Sequence, residues 1–100
     1  MSTHITKHQW IFTVVQDPEI NPQYLGQHDD EQDISFIPIF LKKEDALMCI
    51  NLMAQDKHKK YEVQAVMYED VTEHAAAGGF HVYVLNKNGE VFKKVNPADK

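Results

Sequence analysis

Ile34-Ser35-Phe36-Ile37-Pro38-Ile39-Phe40-Leu41 runs directly into Lys42-Lys43-Glu44-Asp45-Ala46. A nearly continuous apolar run stops at charged residues, and a helical pattern takes over. Runs rich in Ile and Phe suit a strand buried on both faces, and the following segment suits a helix that covers it. The junction therefore opens a β-α-β unit of a compact layered domain. Pro38 cannot donate a backbone hydrogen bond, which marks this strand as a sheet edge or a bulge.

Downstream, the spacing predicts a first helix over residues 43–57. Ala46, Leu47, Cys49, Ile50, Met53 and Ala54 share one wide face, with Glu44, Asn51 and Gln55 opposite and Met48 and Leu52 at the margin. Glu44 and Asp45 in the first turn and Lys57 in the last suit the helix dipole. Tyr61–Tyr68 alternates as a strand, and Glu69–Ala77 reads as a short second helix that Gly78-Gly79 stops. Phe80–Asn86 and Glu90–Val95 form two further strands around the hairpin signal Asn88-Gly89.

Upstream, Trp10–Val15 is aromatic and β-branched, a first strand ended by Asp17-Pro18. A long connection follows over residues 17–33. Its acids are Asp17, Glu19, Asp29, Asp30, Glu31 and Asp33, and it holds no lysine. A connection of this length is usually functional or mobile, and Ile20, Tyr24 and Leu25 are its candidate anchors. Residues 1–8 and 97–100 read as flexible tails. The expectation is one α+β domain over residues 1–100, in the order β-β-α-β-α-β-β. It has a mixed five-stranded sheet and two helices on one face.

A chain of 100 residues buries roughly two-thirds of its unfolded surface, enough for one core without disulfides or metal. The net charge is −5, and all ten basic residues are lysine. Arginine is the preferred side chain for bidentate contact with phosphate and guanine. Its absence from an acidic chain argues against nucleic acid and against an anionic membrane surface as partners. A single cysteine, Cys49, excludes an intrachain disulfide and any CxxC motif. With no apolar signal core in Met1–Gln9, the cytoplasm is the expected compartment.

The Phe36–Phe40 strand leads through Glu44-Asp45-Ala46 into a helix. A strand precedes the short helix Val71–Ala77, and Gly79–Asn86 ends in Val84-Leu85-Asn86 before a glycine turn. Over about residues 36–91 this set resembles the N-terminal domain of SseB-like proteins, the enhanced serine sensitivity family of bacteria. Lys42-Lys43 stands where such proteins carry Ser or Thr caps. Asn86-Lys87-Asn88-Gly89 replaces an Asn-Pro-Gly style ending. The resemblance implies the fold and a bacterial setting. It supplies no catalytic motif.

Chemistry-bearing residues are sparse in pattern. His4 and His8 lie i, i+4, but without a helical period or an intervening HExxH glutamate. His74 and His81 flank the second helix and could meet an acid of the 28–33 segment; helix-terminal and strand-surface roles explain them as well. Asp29–Asp33 lacks the glycine and the ligand order of a calcium loop. Cys49 lies on the apolar helix face, where burial rather than nucleophilicity is expected. Gly78-Gly79 follows a helix, the reverse of a phosphate loop. The aromatics, Trp10 and Phe92 among them, read mostly as core, with some left on an open sheet face.

No metal, cofactor or catalytic set is expected. The leading reading is a non-enzymatic protein-interaction or regulatory module. Asp29, Asp30, Glu31, Asp33, Met48 and Leu52 are its candidate partner surface, and a homodimer is possible through the Pro38 edge or the open face. The rival is a small ligand binder or enzyme built on His74, His81 and the acids of the connection.

Overall fold

The computed structural model describes residues 5–50 and 58–96. It is an α+β domain with one mixed sheet of seven strands and two helices. The long strands are β1 (Trp10–Gln16), β4 (Ile34–Phe40), β5 (Tyr61–Met67), β6 (His81–Leu85) and β7 (Val91–Val95). The helices are α1 (Lys43–Cys49) and α2 (Tyr68–Gly78). The 17–33 connection contributes β2 (Gln23–Tyr24) and β3 (Gln27–Asp29).

The registers fix the order. Phe12 pairs with both Ala65 and Phe40, so β5 and β4 occupy opposite edges of β1. Phe36 pairs with both Gln27 and His81, so β3 and β6 occupy opposite edges of β4. The five long strands therefore run β5-β1-β4-β6-β7. β4 and β6 are parallel, and the other long pairs are antiparallel. β1 and β4 pair directly only at Phe12–Phe40 and Thr13–Ile39. Beyond those residues they part, and β2 on β1 and β3 on β4 fill the opening between them.

This arrangement corrects the reading of Pro38. β4 is an interior strand. Pro38 falls between the residues that pair with β3 (34–36) and those that pair with β1 (39–40). A proline is tolerated where the ladder changes partner. Its carbonyl accepts a 2.9 Å hydrogen bond from the buried Thr13 hydroxyl, which ties β1 to β4 there. The edge strands are β5 and β7, each paired with one neighbour among the described residues.

The side of the helices is corrected as well. Side chains alternate across a strand, and the two packing clusters follow that alternation. Ile37 and Ile39 of β4 pack with Val82, Val84, Val71 and Ala75, beneath α2. Phe40 packs with Tyr83, Leu85, Ala46 and Cys49, beneath α1. The helices cover opposite faces, so β4 is buried on both sides as its sequence implies. Leu47, expected on the core face, is 49% exposed, and Ile50 is half-buried. Met53, Ala54 and Lys57 lie outside the described residues.

Local signals account for the ends. Gly79 has φ 76°, a conformation that costs residues with a Cβ about 1–2 kcal/mol. Around it the Phe80 amide donates to Ala75 O at 2.8 Å and the Gly79 amide to Ala76 O at 3.4 Å. This Schellman closure stops α2. At its other end, the amides of Tyr68 and Glu69 donate to the carbonyls of Gln9 and Lys7 at 2.9 and 3.0 Å. Ile5 packs on the α2-side core, so the N-terminal segment is tied down from residue 5. In the β6–β7 turn Gly89 takes φ 80°, and Asn86 Oδ1 accepts from the amides of Asn88 and Glu90 at 2.9 and 3.0 Å. This is the hairpin that Asn88-Gly89 signals.

Candidate functional site

Each face of the sheet carries one feature that invites a partner. On the α1 side, strand alternation places Trp10, Phe12 and Val14 together, opposite to Ile11, which packs beneath α2. The β1–β5 register sets Trp10 across from Met67, Phe12 across from Ala65, and Val14 across from Val63. Phe12 and Val63 reach the α1-side core. Trp10 is 61% exposed, and Ala65 is also exposed. The result is an apolar strip beside β5, which pairs only with β1 among the described residues. On the same side of the sheet, α1 leaves Met48 57% exposed.

Reading Trp10 as core misses this strip. The alternation Trp10-Ile11-Phe12-Thr13-Val14 is apolar on both faces, so nothing in the sequence marks which position stays uncovered. Phe92 is exposed for a different reason. β7 bulges where Val84 pairs with Lys93 and Leu85 with Val91, which leaves Phe92 without a cross-strand partner and turned outward.

The acidic segment divides in two. Asp29, in β3, accepts a 3.0 Å hydrogen bond from the hydroxyl of Tyr83. Its other oxygen accepts from the amides of Glu31 and Gln32 at 3.1 and 3.3 Å. Lys94 Nζ lies 3.9 Å from its carboxylate and 5.2 Å from the centre of the Tyr83 ring. Tyr83 in turn stacks on Phe36 at 4.2 Å between centroids. Asp29 is thus a clamp between β3 and the sheet. The Tyr83 hydroxyl holds its pKa below the ordinary carboxylate range, with help from the Gln32 and Glu31 amides and Lys94. Burial, and then the Asp29 carboxylate, push the Tyr83 phenol up.

Asp30, Glu31 and Asp33 remain exposed. His28 Nε2 sits 3.2 Å from Asp33 and 3.8 Å from Asp30, and Asp33 closes the turn at φ 52°. Leu52 lies outside the described residues.

An Asp whose pKa is lowered on folding contributes stability above its unfolded pKa. That contribution fades as pH falls through the lower, folded value. In Tyr83→Phe, Asp29 is therefore expected to titrate nearer the ordinary value of about 4. The acid side of the unfolding profile is expected to move to higher pH. Carboxyl-carbon NMR titration reads this directly, and an Asp29 pKa unchanged by the substitution would refute the clamp.

The histidines do not converge. His81 alternates with Val82 and so faces the α1 side, whereas His74, on α2, meets Tyr24 edge-to-face at 5.0 Å. They lie on opposite faces of the sheet. No group of three or more metal-ligating side chains occurs among the described residues. Cys49 is buried, and burial raises its thiol pKa.

Beside His74 the α2 face holds an open cleft of ≈ 280 Å³ lined by Val15, Pro22, Tyr24, Gln64 and Val66. Of the expected anchors in the connection, Leu25 is buried, Tyr24 packs on the α2-side core, and Ile20 is 89% exposed.

Comparison with protein-family models, curated proteins and solved structures finds no match. No helix among the described residues is long and apolar enough to cross a membrane.

Proposed function

We propose that this chain is a non-enzymatic interaction module that binds protein through the Trp10 strip of β1 and β5. A homodimer is one form of that binding. The observation that carries the reading is a tryptophan left 61% exposed on a sheet face, in register with Met67 and Ala65. Tryptophan is over-represented among the residues that dominate binding energy. The exposed end of the strip, Trp10 beside Ala65, favours a partner that removes it from water. The neighbouring strand β5, paired only with β1 among the described residues, offers a sheet edge to the same partner, and the exposed acids Asp30, Glu31 and Asp33 suit a basic one.

Net charge −5 and the absence of arginine favour protein over nucleic acid or anionic membrane as the partner. The reading keeps the SseB-like resemblance, and with it a bacterial cytoplasmic setting, as part of the proposal. Self-association moves from β4, now interior, to the strip.

The test is sedimentation of the chain over a wide concentration range, together with affinity capture from its host. Both are repeated with Trp10→Lys. The substitution is expected to weaken the association at least tenfold, the loss typical of a dominant contact. Thermal stability should barely change, because the side chain is already exposed. Complexes that persist undiminished with Trp10→Lys, or the lack of any Trp10-dependent complex, would sink the reading.

A further inference from the structure

We propose that the cleft between β2, β5 and α2 is a binding site for a guanidinium group. Its apolar lining is Val15, Pro22 and Val66. Four polar side chains line the cleft as well: Gln23, whose Oε1 already accepts from Gln16 Nε2 at 3.1 Å, and Tyr24, Gln64 and His74. Tyr24, Gln64 and His74 make no side-chain hydrogen bond among the described residues; Tyr24 and His74 meet only ring to ring. Each carries an acceptor, namely the phenol oxygen, the amide oxygen and one nitrogen of the neutral imidazole. Each of the three also carries a donor, so the charge around the cleft decides which kind of ligand these groups and the aromatic ring receive.

Charge points to a cation. No lysine among the described residues lines the cleft. Glu62 pairs with Val15 across the sheet, and Val15 pairs with Tyr24. The row Tyr24–Val15–Glu62 therefore lies on one face, with a carboxylate at its end. Asp70, one turn before His74 on α2, is close enough to oppose ionisation of the Tyr24 phenol, after burial, the larger cause. Phosphates and carboxylates are repelled here, and cations are drawn in.

Guanidinium fits better than ammonium. It is planar and more weakly hydrated, it spreads five N–H donors in one plane, and it stacks on aromatic rings. An ammonium is a strongly hydrated point charge that loses more on leaving water. The ≈ 280 Å³ volume admits a guanidinium with a short alkyl stem. The group could belong to a small free guanidine compound or to an arginine of another protein. A second copy of this chain cannot supply it, because the sequence contains no arginine.

The experiment is an amide NMR titration of the full chain with ethylguanidine and with a blocked Gly-Arg-Gly peptide. Butylamine and blocked Gly-Lys-Gly are the charge-matched controls. Saturable shifts are expected at Tyr24, Gln64, Val66 and His74, at least threefold tighter for each guanidinium than for its amine control. Gln64→Ala and Glu62→Gln are each expected to weaken binding severalfold, and neither removes a fully buried side chain. Tighter binding of the peptide assigns the source to a protein arginine, and tighter binding of ethylguanidine to a small compound.

Two results overturn the proposal: linear shifts shared with Asp30 and Asp33, which mark loose counter-ion association, or an equal response to butylamine. The site does not rest on the Trp10 strip, which lies on the other face. Trp10→Lys is expected to bind ethylguanidine as the unaltered chain does, so the two readings fail separately.

Discussion

Alanine in place of Phe40 is expected to cost about 3–5 kcal/mol of folding stability, and alanine in place of Ile39 about 2–5 kcal/mol. The two residues are neighbours in β4 and both are fully buried. They point to opposite faces, Ile39 into the core beneath α2 and Phe40 into the core beneath α1. A strand with one covered face would lose stability at every second position only. Costs of similar size at adjacent positions are the signature of a strand buried on both sides. Urea denaturation with an unchanged slope measures them. Against a total stability of roughly 5–15 kcal/mol, either variant is near the limit of folding, so Ile39→Val, expected to cost about 0.5–1.5 kcal/mol, provides the measurable companion. A negligible cost at one of the two positions would show that its face is open and that the helices do not flank β4.

Much of this was legible because the deciding interactions are local. The run Phe36–Phe40 announces two-sided burial, Gly79 announces the end of α2, and Asn86–Gly89 announces a hairpin. Each rests on backbone geometry or on apolar content within a few residues. What was not legible depends on contacts between distant segments. The face on which a helix packs is set by where the chain crosses the sheet, and α1 and α2 have the same kind of apolar stripe whichever face they cover. β2 and β3 have two and three residues, too few for a period. They exist because β1 and β4 part and leave edges to be paired. The same parting explains Pro38, whose reading as an edge residue fails because the strand changes neighbours there.

The site follows the same division. Asp29 and Asp30 are adjacent acids in sequence. One is a clamp only because Tyr83, 54 positions away, reaches it. The exposure of Trp10 is likewise a tertiary fact. His74 and His81, close in sequence, are separated by the sheet itself.

Aspartate in place of Val71 is expected to leave no stable folded population at neutral pH and to regain folding on acidification. Val71 is fully buried on α2 and packs with Ile37, Ile39, Val82 and Val84. Losing its burial costs roughly 1.5–3 kcal/mol. An unpaired carboxylate there adds a desolvation penalty of several kcal/mol. The side chains of the cluster are all apolar, so the cluster itself supplies no charge that offsets the penalty. Together the costs approach the whole stability of a domain this size. The pH dependence follows from the sign of the shift. Burial raises the folded-state pKa of the new carboxyl above its unfolded value of about 4. The penalty is therefore present in full above the raised value, shrinks as pH falls through it, and vanishes below the unfolded value, where both states bind the proton. Val71→Asn carries a similar polar group that does not titrate, and so serves as the control. Circular dichroism of both variants between neutral pH and pH 4 separates the two effects. An aspartate variant that folds at pH 7 as well as the asparagine one would mean that the side chain reaches water. The packing of α2 on the Ile37–Val84 face would then be wrong.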